Sequence, residues 1–178
     1  VELLFAPVKR HATDLIIEKA TELGVRRIRP VLTQRTIAET VRTDRLIAIA
    51  REAAEQTERF DVPEIAHAVA LTKALDRWDE ARPLLYADEA GDEAEAPWGG
   101  ERGRATPIAE ALADVQTQSL AVLIGPEGGF APEERRMLRG LGYVIPVSLG
   151  PRILRADTAA IAALACWQAW LGDGGASP

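Results

Sequence analysis

The sequence is poor in the residues that build covalent or metal-held scaffolds. Its 178 residues include one cysteine, Cys166, and two histidines, His11 and His67. A disulfide framework within the chain is therefore excluded, and without a cluster of metal ligands no metal is expected. Cys166 lies in an apolar, alanine-rich run, which predicts an inert buried thiol. Both histidines are predicted to have surface roles.

Long hydrophobic runs are also lacking. The longest uncharged run, residues 158–172, is shorter than the roughly 20 residues of a membrane-spanning helix. Nothing at the start resembles a signal peptide, so we expect a cytoplasmic protein with no membrane partner. The chain starts at Val1, which is compatible with a piece of a longer protein.

Acidic residues outnumber basic ones over the whole chain, but not in every part of it. The net charge is −6, which at first argues against a nucleic-acid partner. Residues 1–60 carry net +2, residues 61–120 net −8 and residues 121–178 net zero. The acidity therefore belongs to one segment and says little against an RNA substrate.

The acidic segment lies around residues 88–103 and is rich in glycine. Such a composition predicts a solvated surface loop. Its carboxylates are Asp88, Glu89, Asp92, Glu93, Glu95 and Glu101. The basic side chains of the first third form small groups, which could be a phosphate-facing surface or scattered solvated arginines. These groups are Lys9 with Arg10, then Arg26, Arg27 and Arg29, then Arg35.

Strand-like and helix-like segments alternate along the chain, which predicts an α/β fold on a mostly parallel sheet. The predicted strands are 3–8, 27–33, 84–87, 120–124 and 143–149, and the predicted helices are 14–23, 43–57, 107–115, 132–141 and 157–171. We expect Gly24 to end the first helix, Thr43 or Asp44 to cap the second and Pro132 to open the fourth. One domain should span 1–178, with a polar tail over 172–178.

Two loops carry the strongest functional signal. Residues 124–130 read IGPEGGF and follow the most apolar strand, while residues 149–159 read LGPRILRADTA and follow the next strand. Ligands bind at the carboxyl ends of strands in open α/β sheets. Neither loop is a Walker loop or a GxGxxG fingerprint. The pattern suits a weakly charged ligand such as an adenosyl group, although each loop alone could be a tight turn.

These residues resemble a family. The matching pieces run in the family's order: Lys9, residues 18–24 (EKATELG), Gln34-Arg35, Glu55-Gln56 with Arg59, residues 123–130 (LIGPEGGF) and residues 149–159. The chain resembles the catalytic domain of the RsmE-type small-subunit ribosomal RNA uridine methyltransferases of the SPOUT superfamily. It departs from the usual pattern at Gln34, at Asp157 and at Thr57-Glu58, where the family commonly has Glu, Glu and a small residue with Gly.

The resemblance implies a fold and partners. The fold would be a SPOUT-type parallel sheet flanked by helices, with a C-terminal deep trefoil knot, a rare exception among protein folds. S-adenosylmethionine would bind in the knot. The domain would form a homodimer and act on 16S ribosomal RNA in the small ribosomal subunit. The family's N-terminal RNA-binding β-barrel domain would be absent from this chain.

The resemblance also assigns residues to an N3-uridine methyltransferase site. Arg155 would orient the uracil or an RNA phosphate and stabilise the developing charge of the uracil, and Glu127 would be either a base or a residue that fixes the loop. Thr158 would cap the final helix or contact the methionine moiety. The cofactor-binding residues would be Leu123, Gly125, Pro126, Glu127, Gly128, Gly129, Leu149, Gly150, Ile153, Leu154 and Thr158. The RNA-binding residues would be Lys9, Arg10, Arg35, Arg59 and Arg152.

Two other functions remain open at this point. One is a SPOUT methyltransferase that acts on another RNA or on a ribose 2′-hydroxyl. The other is a non-catalytic RNA-binding module with the same fold, against which the intact ligand loops argue.

Overall fold

The computed structural model describes residues 1–37, 41–90, 95 and 103–173. Three carboxylates of the predicted acidic loop, Asp92, Glu93 and Glu101, lie outside the described residues, as does the tail beyond Asp173. In the described part of the chain, no helix has the length and apolar character needed to cross a membrane.

The described residues form an α/β fold. The strands are β1 Glu2–Phe5, β2 Arg27–Leu32, β3 Glu64–Ile65, β4 Val69–Ala70, β5 Leu84–Ala87, β6 Thr106–Pro107, β7 Ala121–Ile124 and β8 Val144–Ser148. The helices are α1 Arg10–Glu22, α2 Thr43–Gln56, α3 Leu71–Leu75, α4 Ile108–Ala113, α5 Pro132–Arg139 and α6 Ala156–Leu171. The sheet order is β3-β2-β1-β7-β5-β8-β6, with β4 also on β2, and the recorded pairings are parallel. The predicted α/β class is confirmed.

Helices cover both faces of the sheet, which explains why the central strands are apolar throughout. Side chains alternate between faces, so Leu3 and Phe5 of β1 pack under α1, α2, α4 and α6 while Leu4 packs toward α3 and α5. On β7, Val122 likewise packs on the face covered by α1, α2, α4 and α6, and Leu123 packs on the face covered by α3 and α5. Burial of each such leucine stabilises the fold by about 1.5–3 kcal/mol. The central strands therefore hold their carboxyl ends in fixed positions.

Helix ends follow some of the predicted signals and not others. Gly24 follows α1 with φ +82°, a conformation that glycine adopts without strain. Pro132 is the first residue of α5, as predicted. The predicted cap of α2 is wrong: the N-cap is Arg42 and no side chain caps that helix. Thr43 and Asp44 already lie inside its first turn.

The end of α2 explains one departure from the family pattern. Glu58 has φ +55°, and the amide of Arg59 donates to the carbonyl oxygen of Ala54 at 2.9 Å. This geometry is the helix-ending turn in which glycine is the usual residue. Glu58 therefore occupies a position that a glycine would fill with less strain.

Basic residues near the amino end of the sheet are structural. Glu2 is 2% exposed, and its carboxylate accepts hydrogen bonds from Arg29 at 2.9 Å and Arg82 at 2.6 Å. Arg27 pairs with Glu64 at 3.1 Å. These contacts account for Arg27 and Arg29 without a phosphate-facing role.

Cys166 is half buried and packs against the edge of the core, so it is less enclosed than the buried thiol that the sequence predicts. Trp170, one turn further along the final helix, is 53% exposed. This side of the final helix is therefore partly open to solvent.

Candidate cofactor cleft

A cleft of about 310 Å³ opens at the carboxyl ends of β5, β7 and β8. The two loops that the sequence singled out form two of its walls, and the end of β5 forms the third. The lining consists of Arg35, residues 86–90, residues 124–130, Arg135, Ile153, Leu154, Ala156 and Ala159. Its volume falls in the range of about 300–1,000 Å³ that is typical of small-molecule sites.

The loop after β7 is tightly packed. A Cβ atom on Gly125 would lie 2.5 Å from Cε2 of Phe130, so the ring occupies the space that a side chain would need. The ring of Phe130 in turn meets Tyr86 edge-to-face, with centroids 5.0 Å apart. Gly129 has φ +67°, and its amide closes the turn on the carbonyl oxygen of Pro126 at 2.8 Å. Glycine at these positions lets the backbone itself form the cleft wall.

A neighbouring loop fixes the position of this wall. Glu134 is 8% exposed, and its carboxylate accepts hydrogen bonds from the amide of Ala131 at 3.0 Å and from the amide of Gln34 at 2.8 Å. Arg35 donates to the carbonyl oxygen of Gly128 at 2.9 Å. The segment after β2 is thus bound to the loop after β7 at two points.

The end of β5 contains a buried ionic cluster. Asp88 is 3% exposed and pairs with Arg135 and Arg139, each at 2.8 Å. The prediction of a solvated acidic face is therefore wrong for Asp88. Burial and the negative charge of Asp88 raise the pKa of Tyr86, so the phenol stays protonated at neutral pH.

Glu89 is a site residue that the sequence reasoning missed. Its side chain lines the cleft, and burial raises its pKa, an effect that a hydrogen bond from the backbone of Leu149 opposes. Its Oε1 atom is buried and has no hydrogen-bond partner among the described residues, and the same holds for the hydroxyl oxygen of Tyr86. A signal was available, because β5 was predicted as a strand whose carboxyl end must lie beside those of its neighbours.

Most of the predicted cofactor residues meet at the cleft. Its lining includes Gly125, Pro126, Glu127, Gly128, Gly129, Ile153 and Leu154. Leu123, Leu149, Gly150 and Thr158 are not in that lining. Leu123 is fully buried and faces the core beside α3 and α5, because the alternation along β7 directs it away from α6. Gly150 has φ +112°, and its amide donates to the Ser148 hydroxyl at 3.2 Å.

The start of α6 differs from the predicted cap. The N-cap is Arg155, without a side-chain cap, and Thr158 is an exposed residue of the first turn. The Thr158 amide donates to the Asp157 carboxylate at 2.8 Å. The side chain that accepts from an amide of this first turn is therefore that of Asp157, and not that of Thr158 as predicted. The Arg155 side chain is 70% exposed and pairs with Asp157 at 3.5 Å. Arg155 thus lies next to the cleft rather than in its lining.

The predicted RNA-binding residues separate into two groups. Lys9, Arg10 and Arg152 are exposed, and Arg35 reaches the cleft. Arg59 instead binds the carbonyl oxygens of Thr21 and Val25, at 2.6 and 2.8 Å, with its side chain only 13% exposed. Its contacts favour a structural role over an RNA contact.

Comparison with known proteins places these features in context. The family model of the RNA methyltransferase domain matches residues 1–168. The chain is 32% identical over 163 residues to a ribosomal RNA small subunit methyltransferase E of Rickettsia conorii. It is 33% identical over 167 residues to the protein of the same name from Synechocystis. These matches cover 92% and 93% of this chain but 62% and 52% of the relatives, so the chain spans between half and two thirds of their length.

A solved structure shows the same fold with a ligand. The crystal structure of a ribosomal RNA small subunit methyltransferase E from Neisseria gonorrhoeae, bound to S-adenosylmethionine, superposes with a TM-score of 0.79. The two sequences are 29% identical, and the match covers 94% of this chain and 64% of that one.

Proposed function

The chain belongs to the RNA methyltransferase domain family, and from this premise we propose that it methylates N3 of a uridine in 16S ribosomal RNA with S-adenosylmethionine as the methyl donor. The observation that carries the proposal is the cleft, which two Gly-Pro loops and the end of β5 build at one edge of the sheet. The Neisseria relative was crystallised with this cofactor.

The residues present fit such a cofactor. Ile153 and Leu154 supply apolar walls, and the loop after β7 supplies backbone groups at close range. Glu89 Oε1 is a buried polar atom at the cleft without a hydrogen-bond partner in the described structure, and a hydrogen bond donated by the cofactor would satisfy it. When bound, S-adenosylmethionine supplies an already reactive methyl group, so the protein chiefly contributes position.

Glu127 is the residue best placed to accept the proton from N3. Its exposed carboxylate lines both the cofactor cleft and the smaller cleft beside it, so it lies between the two. A neutral uracil carries a proton on N3, which must leave as the new N–C bond forms. Arg155, at the start of α6, would stabilise the negative charge that then develops on the uracil oxygens.

Three larger-scale features belong to the same proposal. The chain would form a trefoil knot, and supporting this, β5 lies between β7 and β8 while α6 returns across β7. It would act as a homodimer in the cytoplasm, and Ile153 and Trp170 offer exposed apolar surface for a second copy, 69% and 53% exposed. Residues 1–178 would be the SPOUT domain, and a separate RNA-binding domain would account for the greater length of the relatives.

The test is methyl transfer in vitro. Small ribosomal subunits that lack the modification are incubated with the protein and methyl-tritiated S-adenosylmethionine, and the 16S RNA is digested to nucleosides. Label in 3-methyluridine is expected. Label in a 2′-O-methylnucleoside, or in another RNA only, would refute the N3-uridine assignment. Failure to bind S-adenosylmethionine in isothermal titration would favour the non-catalytic RNA-binding module.

A further inference from the structure

We propose that a basic groove, which runs from the cofactor cleft to the starts of α1 and α2, binds the phosphate backbone of a single RNA strand beside the target uridine. This inference rests on the proposed function and extends it to a binding path. The charged residues that line the basic groove are Lys9, Arg10, Arg35, Arg42, Arg45 and Glu127.

The basic groove is continuous with the cofactor cleft. It consists of an inner cleft of about 130 Å³ and an outer cleft of about 390 Å³. The inner cleft shares Arg35, Pro126 and Glu127 with the cofactor cleft. The outer cleft shares residues 7–9 with the inner one. A ligand whose reacting end lies at Glu127 can therefore extend into the outer cleft without leaving the surface.

The charge of the basic groove opposes that of the whole chain. Among the residues that the structure describes, five cations and one carboxylate line it, although the chain carries a net charge of −6. Lys9 and Arg10 form no ion pair with any residue that the structure describes. A polyanion is the ligand that such a lining attracts, and each phosphate contact releases counterions.

Of the remaining cations of the outer cleft, Arg42 holds a partner that a phosphate can displace. Arg42 pairs with Asp44 at 2.6 Å, but the two side chains are 69% and 67% exposed, and such surface pairs contribute little to stability. Arg45 pairs with Asp14 on α1. That contact joins α2 to α1 beside the outer cleft.

The backbone adds to this charge. Lys9 is the N-cap of α1 and Arg42 is the N-cap of α2, and neither helix start has a side-chain cap. Because Lys9, Arg10 and Arg42 line the outer cleft, both helix starts lie beside it, and the positive ends of the helix dipoles add to the charge of the basic side chains.

Continuity with the reaction site favours a single RNA strand over other polyanions. A uracil can present N3 to a methyl donor only when it is unpaired or flipped from its stack. The strand that carries it then extends away from the cofactor cleft, and the basic groove is the adjoining path. An acidic protein segment could bind the basic groove without any link to the cofactor cleft, so the continuity of the two gives no support to such a partner.

The test compares charge-removing variants that match in net charge. Binding of a fluorescein-labelled ten-nucleotide oligouridine is followed by anisotropy between 50 and 200 mM KCl. We expect Arg10→Gln with Arg42→Gln to lower the affinity about tenfold at 100 mM KCl. The slope of log K against log salt should fall by roughly 1.4, at about 0.7 per phosphate contact for a single strand.

Arg51→Gln with Arg136→Gln is the matched control, because both arginines are exposed and neither lines the basic groove. This control should leave affinity and slope unchanged, and Arg10→Lys with Arg42→Lys should keep most of the parental affinity.

Three results would overturn the inference. These are equal affinity and slope for the glutamine variant and the parent, no binding of the oligouridine by the parent at 50 mM KCl, and displacement of the oligouridine by polyglutamate at equal charge concentration. If S-adenosylmethionine binding and methyl transfer persist in such a case, only the basic groove is refuted. Loss of cofactor binding by the parent would refute the proposed function instead.

Discussion

Glu134 offers the sharpest test of how the cofactor cleft is held open. Its buried carboxylate accepts one hydrogen bond from Ala131, at the end of the loop after β7, and one from Gln34, after β2. Glu134→Ala would leave both amides without these partners. Hydrogen bonds to a charged group contribute about 1.5–3 kcal/mol each, and water can replace part of that at a site near the surface. We therefore expect the free energy of unfolding to fall by about 2–4 kcal/mol.

The same substitution should loosen the wall of the cleft. The loop that Glu134 anchors contributes residues 125–130 to the lining. In the variant this loop should be less ordered, and cofactor binding would then have to order it at a cost in affinity. We expect the dissociation constant of S-adenosylmethionine to rise about tenfold, which corresponds to about 1.4 kcal/mol. Urea denaturation gives the stability change, and isothermal titration gives the affinity.

Neighbouring variants separate this account from a general effect of lost charge. Glu133→Ala removes a carboxylate from the same helical turn, but that side chain is 65% exposed and its pair with Arg136 is 3.5 Å long. We expect a change of about 0.5 kcal/mol or less. Glu134→Gln should be intermediate, because its amide nitrogen would face a backbone N–H group. A Glu134→Ala protein within about 0.5 kcal/mol of the parent would refute the reasoning.

Four further predictions concern Glu58, Glu89 and Arg155. Glu58→Gly should raise the free energy of unfolding by about 0.5–1 kcal/mol, because Glu58 has φ +55°, and an unchanged or lower value in urea denaturation would contradict this. Burial raises the pKa of Glu89, so the carboxyl group ionises at a lower pH in the unfolded chain than in the folded one. The parent should therefore lose stability relative to Glu89→Gln as the pH rises from 4 to 7. Melting temperatures of the two proteins that change in parallel across that range would contradict this. The same variant should bind S-adenosylmethionine about tenfold more weakly, since a hydrogen bond that the cofactor donates to a charged carboxylate is lost. Arg155→Ala should lower turnover far more than cofactor affinity, because the side chain lies beside the cleft lining, and a large loss of cofactor binding would refute its role.

The fold class could be predicted because the long elements carry strong patterns. The apolar runs of β1 and β7 are buried on both faces, and the helices that cover them are long enough to show a periodic apolar face. The two-residue strands β3, β4 and β6 and the five-residue helix α3 were not predicted. They are too short to show a period, and pairing with neighbouring strands decides their conformation.

The candidate site could be predicted only where its chemistry lies in the sequence itself. Glycine and proline at 125–129 mark a loop that approaches a ligand, and the structure brings that loop to the cleft. The third wall was missed because Asp88 and Glu89 begin an acidic stretch, and composition cannot distinguish a solvated carboxylate from one that two arginines bury. The partners of Asp88 are 47 and 51 residues away, so its role depends on tertiary packing.

The helix caps were wrong for a related reason. Thr43, Asp44 and Thr158 have the side chains that cap helices, yet each helix begins at least one residue earlier than the cap signal implied. Tertiary packing supplies most of the stability of a helix in a protein, so the capping preference of one side chain does not decide where the helix starts.

The most direct test of the central claim is a nucleoside analysis of 16S ribosomal RNA from a strain that lacks this gene. Mass spectrometric mapping should show that 3-methyluridine is lost at one position and returns when the gene is restored. Restoration with an Arg155→Ala copy should not return it. If 3-methyluridine persists in the 16S RNA of the deletion strain, the account of this protein as an N3-uridine methyltransferase is wrong.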